Sequence, residues 1–357
     1  MIIRSISDER RGKLAKNINI IFKVEGGTSI GLGHIVRCCS LARKFRSIGC
    51  KVFFLSKFIE SVDWLKGEEF EVIVLDDRLL FVEEIEKISK VVQEYKCELL
   101  IIDSYEVTNE YLEKIRRVTK KLAYIDDLNN MVYSVDILIN GNINAQNLKY
   151  KKNSTDELML LGPKFNLIRE EFREVPERGI RREVEAIMIT TGGTDPYDIN
   201  GKIVNIISKS KELSKVKINI IVGKAFYNIS SLRGLAKTNK NIILHENVEQ
   251  MSEIMLTSDI AISSGGSTLY ELCACGTPTL SFIMAENQIS IVEMMDKSGY
   301  VESLGWYDTV TSDILLQRLN NLCHDYSKRV LLSKKMQTLV DGKGTERVVE
   351  CVMQLFI

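Results

Sequence analysis

The amino-acid sequence predicts an α/β protein built from two doubly wound Rossmann-like domains that face a cleft. Three observations lead there. The chain has 357 residues, more than one ordinary core accommodates, so two domains are expected. Apolar runs of strand length alternate with segments of helical period, and strands that are apolar throughout belong to parallel sheets covered on both faces. The alternation runs twice, with a charged interruption between the two sets.

Residues 1–17 read as a polar N-terminal extension. The first domain spans 18–162, with strands expected at 18–24, 52–55, 72–75, 99–103, 122–125 and 137–139. Apolar positions recurring from His34 to Phe45 mark a helix that stops near Gly49, and further helices are expected near 81–95 and 108–118. Residues 163–183 are charged, lack a strand period and serve as the interdomain connection. The second domain spans 184–357. Its strands are expected at 186–190, 218–222, 242–244, 260–263 and 279–282, and its helices near 197–209, 248–257, 268–275 and 287–298. Helical patterns at 312–323, 326–340 and 345–355 close the chain. In open α/β sheets ligands bind outside the carboxyl ends of the strands, so site residues are sought in the loops that follow them.

Composition narrows the function. Lys plus Arg and Asp plus Glu both number 48, giving a formal net charge of zero, which argues against a nucleic-acid partner. No apolar run reaches membrane-spanning length and no secretory signal opens the chain, so a cytoplasmic protein without a membrane partner is expected. Eight cysteines without a CxxC pair suit reduced, mostly buried thiols and no zinc site. Oligomeric state stays open, and a monomer is compatible with the sequence.

The stretch SSGGSTLYELCACGTPT (263–279) carries the strongest chemical signal. A strand ends there, Gly265 and Gly266 allow a tight turn, and Ser267 or Thr268 is placed to cap the helix that follows. Backbone N–H groups of such a turn and the positive helix end suit a phosphate or diphosphate, with Ser264 beside it. Glu271, one turn in, is placed to reach a ribose diol; its alternative is a capping box with Thr268. The turn TTGGTDP (190–196) brings Gly192, Gly193 and Thr194 as further donors. Asn287 and Gln288 follow another strand, where they orient a hydroxyl or water, or simply begin a helix.

In the first domain GLGHIVR (31–37) sets Gly31, Gly33, His34 and Arg37 at a helix start. It is a poor dinucleotide fingerprint, because Val36 holds the third glycine position and no acidic residue ends the second strand. Nor is it a P-loop. His34 reads either as a proton acceptor near pH 7 or as a capping or packing histidine, and Arg37 either as a sugar or phosphate contact or as a surface residue. Asp103 and Tyr105 end the strand LLIIDSY, where Asp103 can equally cap a turn; Asp126 and Asp127 suggest metal or acid–base work, but adjacent residues diverge, and the pair reads rather as helix or turn caps.

Taken together, GLGHIVR, IIDSY, YIDD, LGPKFNLIR, GGTDP, SSGGSTLYEL with GTPTL, and ENQ resemble the UDP-sugar hydrolases of pseudaminic acid biosynthesis. That family is related to spore-coat polysaccharide proteins and, more distantly, to the lipid-linked GlcNAc transferase of peptidoglycan synthesis. The likeness covers roughly residues 18–300. It implies the glycosyltransferase-B fold and hydrolysis of UDP-2,4-diacetamido-2,4,6-trideoxy-β-L-altropyranose by inverting C–O cleavage at the anomeric carbon, with neither metal nor cofactor. It also implies that His34 activates water, that Tyr105 and Asn287 lie beside the sugar and that water, and that the turn with Glu271 holds uridine diphosphate. The extension before residue 18 departs from the family pattern. A glycosyltransferase of the same fold is the main alternative, followed by a silent nucleotide-sugar binder and, last, a dehydrogenase.

Overall fold

The computed structural model describes residues 17–27, 32–223, 226 and 229–356. The expected extension therefore lies, apart from Asn17, outside the described residues, as does Gly31. The chain divides into two compact units, one comprising residues up to Leu167 together with those from Gly344 onward, the other Ile168–Lys343.

The first unit holds a seven-stranded sheet in the order β3-β2-β1-β4-β5-β6-β7. Its strands are β1 (Asn19–Val24), β2 (Lys51–Ser56), β3 (Glu71–Val74), β4 (Leu99–Asp103), β5 (Leu122–Ile125), β6 (Ile137–Asn140) and β7 (Leu158–Leu161), and all their pairings are parallel. Helices α1 (Gly33–Ser47), α2 (Ile59–Gly67), α3 (Phe81–Glu94) and α4 (Asn109–Arg116) connect them. Burial explains why the strand sequences are apolar on both faces. Ile20, Phe22 and Val24 point into one cluster with Ile35, Cys38, Leu41 and Phe45 of α1, while Ile21, Leu100 and Ile102 point into another beneath α3 and α4.

The second unit holds a six-stranded sheet, β10-β9-β8-β11-β12-β13, also parallel. Its strands are β8 (Ala186–Thr190), β9 (Lys217–Val222), β10 (Ile242–Glu246), β11 (Ile260–Ser264), β12 (Thr279–Ile283) and β13 (Glu302–Trp306). The helices are α5 (Ile199–Ser208), α6 (Ile229–Thr238), α7 (Met251–Thr257), α8 (Thr268–Cys275), α9 (Glu286–Lys297), α10 (Ser312–His324) and α11 (Tyr326–Leu339).

One boundary needs correcting. The final helix, α12 (Gly344–Met353), does not belong with the second domain. Its Val348, Val349 and Val352 enter the core that α1 and β1 share, and Lys44 pairs with Glu346 at 3.1 Å. The connection is likewise shorter than 163–183, because residues 163–167 stay with the first unit, where Phe165 and Leu167 are buried in the same core. All eight cysteines are free thiols and six are buried.

Candidate functional site

Each sheet has one point where strand order reverses, between β1 and β4 in the first unit and between β8 and β11 in the second. Connections leave such a point in opposite directions and open a crevice at the carboxyl ends. The predicted residues gather at both points. Val24 and Asp103 are register partners, which sets Asp103 beside the carboxyl end of β1.

His34, on the first turn of α1, is buried, and its Nδ1 lies 2.5 Å from Oδ1 of the fully buried Asp103. Arg37, one turn on, grips the same carboxylate twice, Nε to Oδ2 at 2.6 Å and Nη2 to Oδ1 at 2.7 Å. Cys38 Sγ adds a fourth donor to Oδ2 at 3.4 Å. Burial by itself raises a carboxyl pKa, but the charges and hydrogen bonds of Arg37 and His34 outweigh it and hold Asp103 well below the usual range. An ionised carboxylate only accepts, so Nδ1 must carry a proton, and in the neutral ring Nε2 is then the acceptor. Arg37 Nη2 also comes within 3.1 Å of Nδ1, a consequence of both groups donating to one oxygen. The capping alternative for His34 is not realised, since the N-cap of α1 is Leu32 and no side chain caps it.

Arg37 also donates from Nη1 to Asp127 at 2.9 Å, which makes it a partly buried bridge between two carboxylates. Asp127 further accepts from Tyr105 Oη at 2.8 Å and from Asn142 Nδ2 at 2.7 Å. Burial opposes its charge, yet Arg37 keeps its pKa below the ordinary value. The Tyr105 ring meets the His34 ring edge to face, centroids 4.6 Å apart. Asp127 and Asn142 were thus missed as members of this cluster. Divergence of the aspartate pair holds, because Asp126 turns away to accept from the backbone of Leu128 and Asn129 and from the hydroxyls of Tyr133 and Tyr150. Only Asp126 fits the capping expectation. Gly33 stands exposed at the start of α1.

At the second reversal the two glycine turns meet. Ser264 Oγ donates to the Thr191 carbonyl at 3.0 Å, and the carboxylate of Asp195 accepts from the N–H groups of Ile199 and Asn200 that open α5. Gly192 takes a left-handed conformation, φ +87°, which places its N–H 3.1 Å from Thr190 Oγ1. Gly193 and Thr194 follow it, half-buried. Gly265 and Gly266 are glycine for different reasons. A Cβ on Gly265 would lie 2.4 Å from Val292 Cγ2 and 3.0 Å from Gln288 Cβ, whereas one on Gly266 would meet nothing. The first lets α9 pack against the turn, and the second keeps its outer face open. Gly223, after β9, is also constrained, since a Cβ there would lie 2.3 Å from the Gly193 carbonyl oxygen.

Two expectations about α8 need correction. Ser267 is the N-cap but its side chain makes no capping bond, and Thr268 is already the first helical residue, so neither caps the helix. Nor does Glu271 form a capping box. Its two oxygens accept from Arg169 Nε and Nη2, each at 2.8 Å, and Arg169 also pairs with Glu171. Arg169, in the motif LGPKFNLIR, was not singled out by sequence, although a bidentate guanidinium is what fixes a carboxylate's plane. Each Glu271 oxygen keeps lone-pair capacity for a hydroxyl. Asn287 and Gln288 lie on the first turn of α9, with Gln288 Oε1 accepting from Met284 N at 2.9 Å and its stem against Gly265.

Two parallel, doubly wound units of this order make the fold glycosyltransferase-B, and residues 186–338 match the glycosyltransferase family 28 C-terminal domain. The structure is similar to that of Acinetobacter baumannii MurG, with a TM-score of 0.70 at 13% identity, covering 94% of this chain and 99% of that one. Among relatives by sequence, the Bacillus subtilis spore coat polysaccharide biosynthesis protein SpsG is 25% identical over 93% of this chain and 97% of its own. The Campylobacter jejuni UDP-2,4-diacetamido-2,4,6-trideoxy-beta-L-altropyranose hydrolase is 26% identical over 79% of this chain and 98% of its own. These relatives carry the names that the motifs led us to expect. Among the described residues no helix is long and apolar enough to cross a membrane.

Proposed function

We propose that this chain is an enzyme acting on a UDP-sugar, and specifically that it hydrolyses a UDP-activated diacetamido-trideoxy sugar of the altropyranose type in a pseudaminic-acid-like pathway. The observation that carries this reading is the Asp103–His34 pair, which directs an acceptor nitrogen away from a carboxylate held by Arg37. In the proposed step Nε2 of His34 takes a proton from water as the water oxygen bonds the anomeric carbon. The bond from that carbon to the UDP oxygen breaks with its electron pair going to UDP, and the configuration inverts. The leaving group needs no added proton, because backbone N–H groups of the two glycine turns and the end of α8 receive its charge. Glu271, oriented by Arg169, is assigned to the ribose hydroxyls, and Asn287 and Gln288 to the sugar.

A second reading, transfer to a sugar hydroxyl, draws on the family 28 domain and the likeness to MurG. One experiment separates them. The protein is incubated with the diacetamido UDP-sugar in oxygen-18 water without acceptor. Label in the free sugar and none in UDP is the expected result. Tight binding without UDP release would overturn hydrolysis in favour of transfer, and label in a phosphate would mean P–O cleavage.

A further inference from the structure

The Tyr105 hydroxyl has a fixed polarity. It lies 2.8 Å from Oδ2 of Asp127, and since a carboxylate can only accept, the single phenolic proton is committed to that oxygen. Asp127 is in turn held as a carboxylate, its other oxygen accepting from Arg37 Nη1 at 2.9 Å and Asn142 Nδ2 at 2.7 Å. The Tyr105 oxygen can therefore offer only lone pairs to a ligand. Tyr105 is 42% exposed, and its ring stands edge to face with the imidazole of His34, centroids 4.6 Å apart.

A water that attacks carbon must keep a lone pair directed at that carbon. Held between two acceptors, His34 Nε2 and Tyr105 Oη, it spends both hydrogens and keeps its lone pairs. A donating phenol would instead occupy one of them. We propose that Asp127 is a positioning residue that sets Tyr105 as the second acceptor for the attacking water. The inference rests on the hydrolase reading.

Asp127→Asn tests it, because the geometry says how the amide will sit. Arg37 Nη1 and Asn142 Nδ2 both donate to the Oδ1 side, so the carbonyl stays there and the NH2 takes the place of Oδ2. That NH2 donates to Tyr105, releasing the phenolic proton and inverting the group. Expected are falls in kcat of about 10- to 100-fold for Asp127→Asn and for Tyr105→Phe, at or below the low end of what a general acid–base group contributes, because Tyr105 positions the water and does not take its proton. KM and the affinity for UDP should change by less than about threefold, as befits a contact made only in the transition state. The double variant should be no slower than Tyr105→Phe alone, since Asp127 acts through Tyr105. If Asp127→Asn slows the Tyr105→Phe enzyme further, Asp127 acts through Arg37 and His34 instead and the polarity proposal is overturned. A loss confined to KM would overturn it too. Failure of the wild-type protein to place oxygen-18 in the sugar would sink the hydrolase reading and this inference with it, a result read before any variant.

Discussion

Asp103→Asn should damage both stability and rate, and the structure sets the size of each effect. Four donors converge on this fully buried carboxylate: His34 Nδ1, Arg37 Nε, Arg37 Nη2 and Cys38 Sγ, two on each oxygen. An asparagine has one acceptor oxygen, so in either orientation its NH2 faces two donors. Removing one partner of a buried ion pair costs about 3–5 kcal/mol. The lower end applies here, because Asp127 still neutralises Arg37, whose side chain is 17% exposed. A loss of about 3 kcal/mol corresponds to a fall in melting temperature of roughly 6–12 °C for a unit of this size class. The rate should suffer separately. With the amide nitrogen against Nδ1 the imidazole is pushed to the opposite tautomer and Nε2 becomes a donor, which removes the base and a factor of about 10²–10⁴. Calorimetry, rates of UDP release and nitrogen-15 shifts of His34 would be measured on the same preparation. A variant that melts within about 2 °C of wild type, or keeps its rate with Nε2 protonated, would refute the argument that this carboxylate orients the histidine.

Stability should also depend on acid in a defined direction. Asp103 and Asp127 have folded pKa values below the unfolded carboxylate value, so the unfolded chain binds more protons in between and their contribution is present above the unfolded pKa. It is lost as pH falls from about 4 through the folded values, and urea titrations should show a slope there that flattens in Asp127→Asn; an unchanged slope would contradict the assignment. Gly223→Ala forces a Cβ against the Gly193 carbonyl, and we expect a cost of about 1–3 kcal/mol with weaker UDP binding by calorimetric titration. Arg169→Ala should weaken UDP binding several-fold by releasing the plane of Glu271; unchanged affinity for UDP would count against the ribose assignment. Val348→Ala, in a side chain with no exposure, should destabilise the first unit by about 1–3 kcal/mol without altering UDP affinity, whereas an effect on the second unit's melting would contradict the placement of α12. Turnover is expected to survive EDTA, because the proposed step uses donors from the protein alone.

Much of this architecture is local in origin. Runs such as LLIID and AIMIT declare buried parallel strands, since both faces are covered and polar residues are confined to the strand ends, and glycine pairs between a strand and a helix declare the turns. β13 went unseen because it is only partly buried and not uniformly apolar, as ESLGW shows, whereas β7, LMLL, was missed although it is apolar throughout. α2, IESVDWLKG, was also missed, although shorter helices such as α4 and α7 were read from their period. His34, Arg37, Asp103 and Tyr105 were legible singly, from residue type and position after a strand. Their pairing was not, because a side chain's partner depends on strand order. The crossover that seats β4 beside β1 brings residues 66 and 69 positions apart within hydrogen-bonding distance, and the neighbouring β5 and β6 deliver Asp127 and Asn142 to the same point. Arg169, in the segment before β8, reaches Glu271 across 102 residues. The return of α12 to the first unit is the extreme case. Its apolar face says that it must be buried, but an amphipathic helix fits any complementary core, and only the assembled surfaces of α1 and the first sheet determine which one it covers.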